Sequence, residues 1–162
     1  MMAVRVIESW QAAAIMPVMH TAFDPAFGEA WSLVQMREAM IVPGTAMYVA
    51  GAADAPSGFA LSRTIFDATE LLLLAVDPEY QRSGIGRGLI SALISDVSAI
   101  GVDSIFVEVR ADNGARRFYT RIGFSEIGHR KNYYRRATGE YSDAITMALI
   151  LQDQAIADTC TR

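Results

Sequence analysis

The sequence has little of what stabilises a secreted, metal-binding or membrane-embedded protein. Its 162 residues include one cysteine, Cys160, and two histidines, His20 and His129, with no cysteine or carboxylate at metal-ligand spacing from either histidine. These counts exclude an intramolecular disulfide, argue against a metal site and favour a reducing cytoplasm. No run of about 18 apolar residues occurs, so no membrane span is expected, and no signal-peptide core follows Met1–Arg5.

An excess of positive charge is also missing. The 14 Lys and Arg residues are outnumbered by 18 Asp and Glu residues, for a net charge of −4. This balance argues against a general nucleic-acid binder. The basic, tyrosine-rich stretch 129–136 could contact RNA or form a solvated loop, and we expect no direct nucleic-acid binding.

What the sequence does have is apolar residues, at 52% against 20% charged. This composition predicts a single folded domain over 1–151, followed by a C-terminal tail at 152–162. Two strand-like stretches at 45–52 and 58–65 lead into Glu70–Val76, which is apolar on both faces and therefore central. Together with helices after it, this order predicts a mixed α/β sheet.

The flanking elements follow from spacing and from residues that break helices. Ser9 can cap a first helix that Pro17 kinks or shortens, and a second helix covers about 32–40. Further along, the pattern predicts a helix from Ile85 to Gly101 and a strand over Ser104–Arg110. The remaining segments are predicted as a short helix ending at Gly123, a strand at 124–128, a loop at 129–140 and a last strand at 143–151.

A glycine-rich stretch, Gln81–Gly88, follows the apolar strand and opens the long helix. Its three glycines, Gly84, Gly86 and Gly88, allow close approach of a ligand to the backbone. The free N–H groups of a first helical turn favour an anion, and flanking arginines suit phosphate. The stretch lacks the Gly-Lys-Ser/Thr of a Walker A loop and the spacing of a dinucleotide fingerprint. A merely flexible helix start is the alternative.

The motif around this stretch resembles that of a known family. The segment Ala75–Val76–Asp77–Pro78, with Gln81–Arg82–Ser83–Gly84–Ile85–Gly86 after it, is similar to the acetyl-CoA signature of the GNAT (GCN5-related) N-acetyltransferases. The later segments 107–113, 118–119 and 123–124 resemble that family's second half. Within it, Glu108–Arg110, 132–134 and 143–149 look most like the ribosomal-protein-alanine N-acetyltransferase branch, which acetylates a protein's N-terminal α-amine.

The resemblance implies a fold and a set of roles. The fold would be α/β (α+β), a mixed, mostly antiparallel sheet of six to seven strands with about four flanking helices. The parallel strands Glu70–Val76 and Ser104–Arg110 would splay where the cofactor enters. The implied cosubstrate is acetyl-CoA, with no metal. The residues implied to bind it are Leu74, Ala75, Val76, Gln81, Arg82, Ser83, Gly84, Ile85, Gly86, Arg87 and Asn113.

The implied catalytic pair is Glu108 as general base and Tyr119 as general acid toward the leaving thiolate, with Tyr134 lining the acceptor site. Glu108 lies on an otherwise apolar strand, where unpaired burial would raise its pKa toward a useful range. Arg110 shares its face and could instead pair with it. Tyr119 lies on the apolar face of its helix, so plain core packing is the alternative role.

Two positions depart from the family pattern. Asn113 lies one residue closer to Tyr119 than usual, which leaves open whether Asn113 or Asp112 contacts the cofactor. Arg135 stands where a proline usually follows the paired tyrosines, and this bears on the acceptor. The aromatics Phe23, Phe27 and Trp31 either line an acceptor groove or pack a helix pair. Alternative functions are acetylation of a small-molecule amine or non-catalytic acyl-CoA binding.

Overall fold

The computed structural model describes residues 3–151. These residues form one seven-stranded sheet with helices packed on its faces. The predicted tail at 152–162, with Cys160, lies outside the described residues. The strands are β1 (Val4–Ile7), β2 (Thr45–Gly51), β3 (Pro56–Ile65), β4 (Ala68–Val76), β5 (Ser104–Arg110), β6 (Ser125–Arg135) and β7 (Tyr141–Ile150). The α-helices are α1 (Met16–Ala22), α2 (Leu33–Met40), α3 (Ile85–Ala99) and α4 (Ala115–Arg121). Short 3-10 helices cover Ser9–Ile15, Pro25–Phe27 and Pro78–Tyr80.

The strand order is β1-β2-β3-β4-β5-β7-β6. Only the β4–β5 pair is parallel, and the other neighbouring pairs are antiparallel. The predicted class, a mixed and mostly antiparallel sheet of six to seven strands with about four helices, is confirmed.

β4 is the central strand that its apolar sequence predicts, and it separates two cores. Leu71 packs in the core beneath α3, while Leu73 and Ala75 pack in the core beneath α1 and α2. Residues two apart normally share one face of a strand. Here the pairing with β3 shifts between Leu61 and Ser62, so that Leu72 has no partner in that ladder. This β-bulge moves the odd-numbered residues of β4 from the core beneath α3 to the core beneath α1 and α2.

α3 buries the stripe predicted for it. Leu89 and Leu93 are fully buried, and Ile85 and Val97 are at most 7% exposed. Burying each such side chain stabilises the fold by about 1.5–3 kcal/mol. The helix ends before Gly101, whose φ of +79° reverses the chain. The long helix is thereby fixed against the sheet, with its first turn at the end of β4.

The prediction of a loop over 129–140 is wrong for its first half. β6 continues to Arg135 as an edge strand whose side chains are exposed along most of its length. Its polar, basic composition hides a strand because an edge strand has little apolar surface to bury, and charge there discourages aggregation. The strand bulges at Asn132, where φ is +53° and the amide donates to Asp143 Oδ1 over 2.8 Å.

β4 and β5 are hydrogen-bonded to each other along only the first part of their length. Their pairing runs from Ala68 opposite Ser104 to Leu71 opposite Val107 and then stops. The ends of both strands diverge beyond that point, as predicted, and the gap opens toward the first turn of α3. Between residues 3 and 151, no helix is long and apolar enough to cross a membrane.

Candidate active site

A cavity of about 820 Å³ occupies the gap between β4 and β5. Its wall combines the end of β4, the glycine-rich loop with the start of α3, the β5–α4 junction and the segment after α1. Most residues predicted to bind a cofactor lie on this wall: Leu74, Ala75, Val76, Gln81, Arg82, Gly84, Ile85, Gly86, Arg87 and Asn113. Ser83 does not lie on the wall, and its hydroxyl donates to the Tyr80 carbonyl.

The end of β4 presents backbone groups to the cavity. The Asp77 amide donates to the Ser57 carbonyl over 2.9 Å, which fixes the alternation of the β3–β4 ladder. In an antiparallel pair, successive residues point their N–H and C=O groups to opposite sides. Leu74 and Val76 therefore point theirs away from β3, into the gap that β5 has left. An extended ligand can pair with this edge as an added strand would.

The first turn of α3 presents amides to the same cavity. The first helical hydrogen bond at this end runs from the Gly88 amide to the Gly84 carbonyl, at 2.9 Å. The preceding amides of the turn, Ile85 to Arg87, have no helical acceptor and carry the positive end of the helix dipole. Gly84, at φ +90°, makes the reversal that aims them outward. The turn is suited to a phosphate group.

Gln81 stabilises this arrangement from within. Its side-chain amide donates to the Val76 carbonyl over 3.2 Å. This bond ties the loop back to the end of β4 and occupies one backbone acceptor of the strand edge. Gln81 lies on the cavity wall, and its hydrogen bond to Val76 holds the loop in place.

Asn113 and Asp112, the two candidates for a contact with the cofactor, differ in their contacts within the protein. Asn113 lies on the cavity wall and caps α4, with its Oδ1 accepting the Ala115 amide at 2.9 Å. Asp112 instead pairs with Arg110 at 2.9 Å and with Arg136. Burial opposes its ionisation, but Arg110 and Arg136 outweigh that effect and lower the pKa of Asp112. Of the two residues, only Asn113 lies on the cavity wall.

Glu108 does not pair with Arg110, the alternative left open by the sequence. Its Oε1 atom lies 3.4 Å from Arg130 Nε, and its side chain is 20% exposed. Its Oε1 atom is buried and has no hydrogen-bond partner among the described residues. A mostly buried carboxylate whose Oε1 has an ion pair to an exposed arginine, but no hydrogen bond, can accept a proton from a ligand.

Tyr119 is packed in the core, yet its hydroxyl is not used there. The ring is 4% exposed and makes edge contacts with Phe118 at 5.3 Å and Phe124 at 5.4 Å. Within the described chain the hydroxyl forms no hydrogen bond. Burial raises the pKa of Tyr119 above its ordinary value, so the group stays protonated at neutral pH.

Tyr134 lies close to Glu108. Burial, followed by the charges of Glu108 and Glu29, raises its pKa to about 12. Its ring packs edge-on against Tyr133 at 5.1 Å. Glu108, Glu29 and Tyr134 therefore share one region, although neither Glu108, Tyr119 nor Tyr134 forms part of the cavity wall itself.

An ion-pair cluster that sequence reasoning does not predict lies at the inner end of the cavity, where β5 meets the segment after α1. Arg110, 7% exposed, lies 3.1 Å from Glu29 and stacks over the Phe27 ring at 3.5 Å. Burial raises the pKa of Glu29, and Arg110 only partly offsets this. The cluster fixes the segment after α1 against β5. Phe23 and Phe27 lie on the cavity wall, whereas Trp31 packs against the core of α1 and α2.

Comparison with known proteins agrees with this geometry. A family model described as an acetyltransferase (GNAT) domain matches residues 15–135. This chain belongs to the GNAT acetyltransferase family.

Two relatives and one structure of similar fold add detail. The [ribosomal protein bS18]-alanine N-acetyltransferase of Haemophilus influenzae is 40% identical over 94 residues, which span 58% of this chain and 64% of that protein. The crystal structure of the Escherichia coli ribosomal-protein-S18-alanine N-acetyltransferase superposes with a TM-score of 0.82 at 32% identity, covering 93% of this chain and 94% of that one. A Salmonella typhimurium structure with its cofactor acetyl-CoA has a TM-score of 0.74 at 22% identity, covering 93% and 94%.

Proposed function

We propose that the protein is an acetyl-CoA-dependent N-acetyltransferase that acts on the N-terminal α-amine of a protein. The observation that carries this proposal is the cavity wall, where an open strand edge continues directly into a phosphate-binding helix turn. This arrangement belongs to a chain of the GNAT family. The compartment we propose is the cytoplasm.

The residues present fit CoA along its length. The amides and carbonyls of its pantetheine arm could pair with the backbone groups of Leu74 and with the Val76 amide, while the Val76 carbonyl already accepts from Gln81. Its pyrophosphate matches the outward amides of Ile85 to Arg87, with Arg82 and Arg87 beside them. Asn113 is available for one further hydrogen bond. When bound, acetyl-CoA supplies the acetyl group as an activated thioester.

The chain's own groups then move two protons. Glu108 accepts a proton from the acceptor amine, whose nitrogen forms a bond to the thioester carbonyl carbon while the carbon–sulfur bond breaks. Tyr119, kept neutral by burial, donates its proton to the leaving sulfur. No covalent bond to the enzyme is needed, so rate enhancement rests on positioning, polarisation and proton transfer.

An α-amine suits a carboxylate base. Its pKa is near 8 against about 10.4 for lysine, so removing its proton at neutral pH is easier by about 3 kcal/mol. The relatives from H. influenzae and E. coli are named for the alanine of ribosomal protein bS18. We therefore propose an alanine-starting ribosomal protein as the acceptor.

Mass spectrometry of peptides after incubation with acetyl-CoA tests this function. We expect one acetyl group on the α-amine of a peptide that carries the alanine-starting terminus of bS18. The same peptide with a blocked α-amine and a free lysine should stay unmodified, and so should a polyamine. Acetylation of the polyamine alone would indicate a small-molecule enzyme. Tight CoA binding with no acetylated product would indicate a binding module.

A further inference from the structure

Three arginines at the outer end of the cavity have no acidic partner. Arg82, Arg87 and Arg121 lie on its wall, and none of them forms an ion pair with another residue between 3 and 151. Arg110, the other arginine on the wall, is held by Glu29 and Asp112. Three uncompensated positive charges on one concave surface attract an anionic ligand.

Arg121 reaches this surface from a different element. It lies on α4, one turn beyond Phe118, and Phe118 packs against the first turn of α3. A Cβ placed on Gly86 would lie 3.3 Å from Phe118 Cζ. α4 begins beside Asn113, at the end of β5, and runs away from it. Arg121 therefore lies beyond the contact with Gly86, on the side opposite the diverging strands.

The charges of CoA account for two of these arginines but leave the third. A pyrophosphate diester carries two negative charges, which face the α3 amides and the loop arginines, Arg82 and Arg87. CoA also carries a 3′-phosphate monoester on its ribose, with about two further charges at neutral pH. The thioester must lie toward the diverging strands, so the ribose end lies toward Arg121.

We propose, resting on the proposed function, that Arg121 binds the 3′-phosphate of CoA and gives the protein its preference for CoA over 3′-dephospho-CoA. The substrate class is thereby narrowed to 3′-phosphorylated acyl carriers. A guanidinium suits this role because it can offer two parallel N–H donors to one phosphate.

Calorimetric titration of CoA and of 3′-dephospho-CoA into the wild type, Arg121→Gln and Arg117→Gln tests the proposal without relying on turnover. Arg117 is the matched control, since it is an exposed arginine on the same helix but is not part of the cavity wall. We expect the wild type to bind CoA about fivefold more tightly than dephospho-CoA, a modest ratio because the contact is exposed to solvent. Arg121→Gln should bring that ratio close to one, because it weakens the binding of CoA but not that of dephospho-CoA. Arg117→Gln should leave the ratio unchanged.

Added salt should shrink the ratio in the wild type and leave it unchanged in Arg121→Gln. Equal weakening of both ligands by Arg121→Gln, an unchanged ratio, or the same change in Arg117→Gln would each overturn the assignment. A wild type that binds neither ligand would overturn it together with the proposed function. If the affinity ratio depends on Arg121 as expected but no acetyl transfer is detected, the proposed function is wrong and the role of Arg121 in binding the 3′-phosphate stands.

Discussion

The two ends of the cavity are built in different ways. The outer end is formed mainly by one continuous stretch, from the edge of β4 through the loop into α3, with Arg121 added from α4, and this stretch offers mainly backbone amides. The inner end joins two segments that are distant in sequence, the segment after α1 and β5, through the ion pair of Glu29 with Arg110 and the stacking of Arg110 on Phe27. Glu108 and Tyr134 lie near this end but not on the cavity wall. The outer end can thus stay constant while side chains change, whereas the inner end changes with each substitution. We therefore expect cofactor binding and acceptor chemistry to be separable by mutation.

The largest separation is expected from Glu108→Gln. Removing the base should lower turnover about a hundredfold, because the amide cannot accept the amine's proton. CoA affinity should stay within twofold of the wild type, since Glu108 is not on the cavity wall. Steady-state rates together with calorimetry measure both quantities. A variant that keeps more than a tenth of wild-type turnover would remove Glu108 from the mechanism.

Arg110→Met tests the inner end as a structure. The variant leaves the half-buried Glu29 without its partner, which should cost about 2 kcal/mol of unfolding free energy. It should also raise KM for the peptide more than it lowers kcat, because the segment after α1 loses its attachment to β5. Arg117→Met is the control, as Arg117 is exposed and is not ion-paired with any described residue. CoA binding that weakened in parallel with the peptide KM would show that the two ends are not independent.

Tyr119→Phe should lower turnover at least tenfold while the fold stays intact, since the ring packing is preserved. The same variant has a pH signature. The folded-state pKa of Tyr119 is raised, so its neutral form stabilises the fold fully below about pH 10 and progressively less above it. Phe cannot ionise, so the unfolding temperature of the variant should fall less steeply above pH 10 than that of the wild type. Identical alkaline profiles would show that the hydroxyl is not buried in solution.

The smallest effect expected is that of Gly84→Ala at the outer end. A Cβ there meets nothing within 4 Å, but φ of +90° strains any residue other than glycine. The cost should be about 1 kcal/mol in stability, with weaker CoA binding as the amides turn away. Gly114→Ala is the matched control, because Gly114 has equal space and an ordinary φ of −59°. If both variants lose stability equally, backbone conformation is not the reason for Gly84.

The same contrast explains what sequence reasoning could reach. The strand edge, the glycine loop and the stripe of α3 follow from local patterns, and the structure has them where the sequence predicts them. The pairing of Glu29 with Arg110 does not, because a lone loop glutamate carries no signal of a partner on β5. The extent of β6 was missed because an exposed edge strand lacks the apolar alternation by which strands are recognised. The sequence alone does not indicate the role proposed for Arg121, because that role depends on the packing of α4 against Gly86.

Hydrogen–deuterium exchange of the wild type with and without CoA tests the central claim most directly. The account predicts slower exchange in peptides that cover 72–76 and 82–88, with little change in those that cover 24–29 and 129–136. Protection confined to the inner segments, or no protection at the strand edge and the first turn of α3, would contradict it.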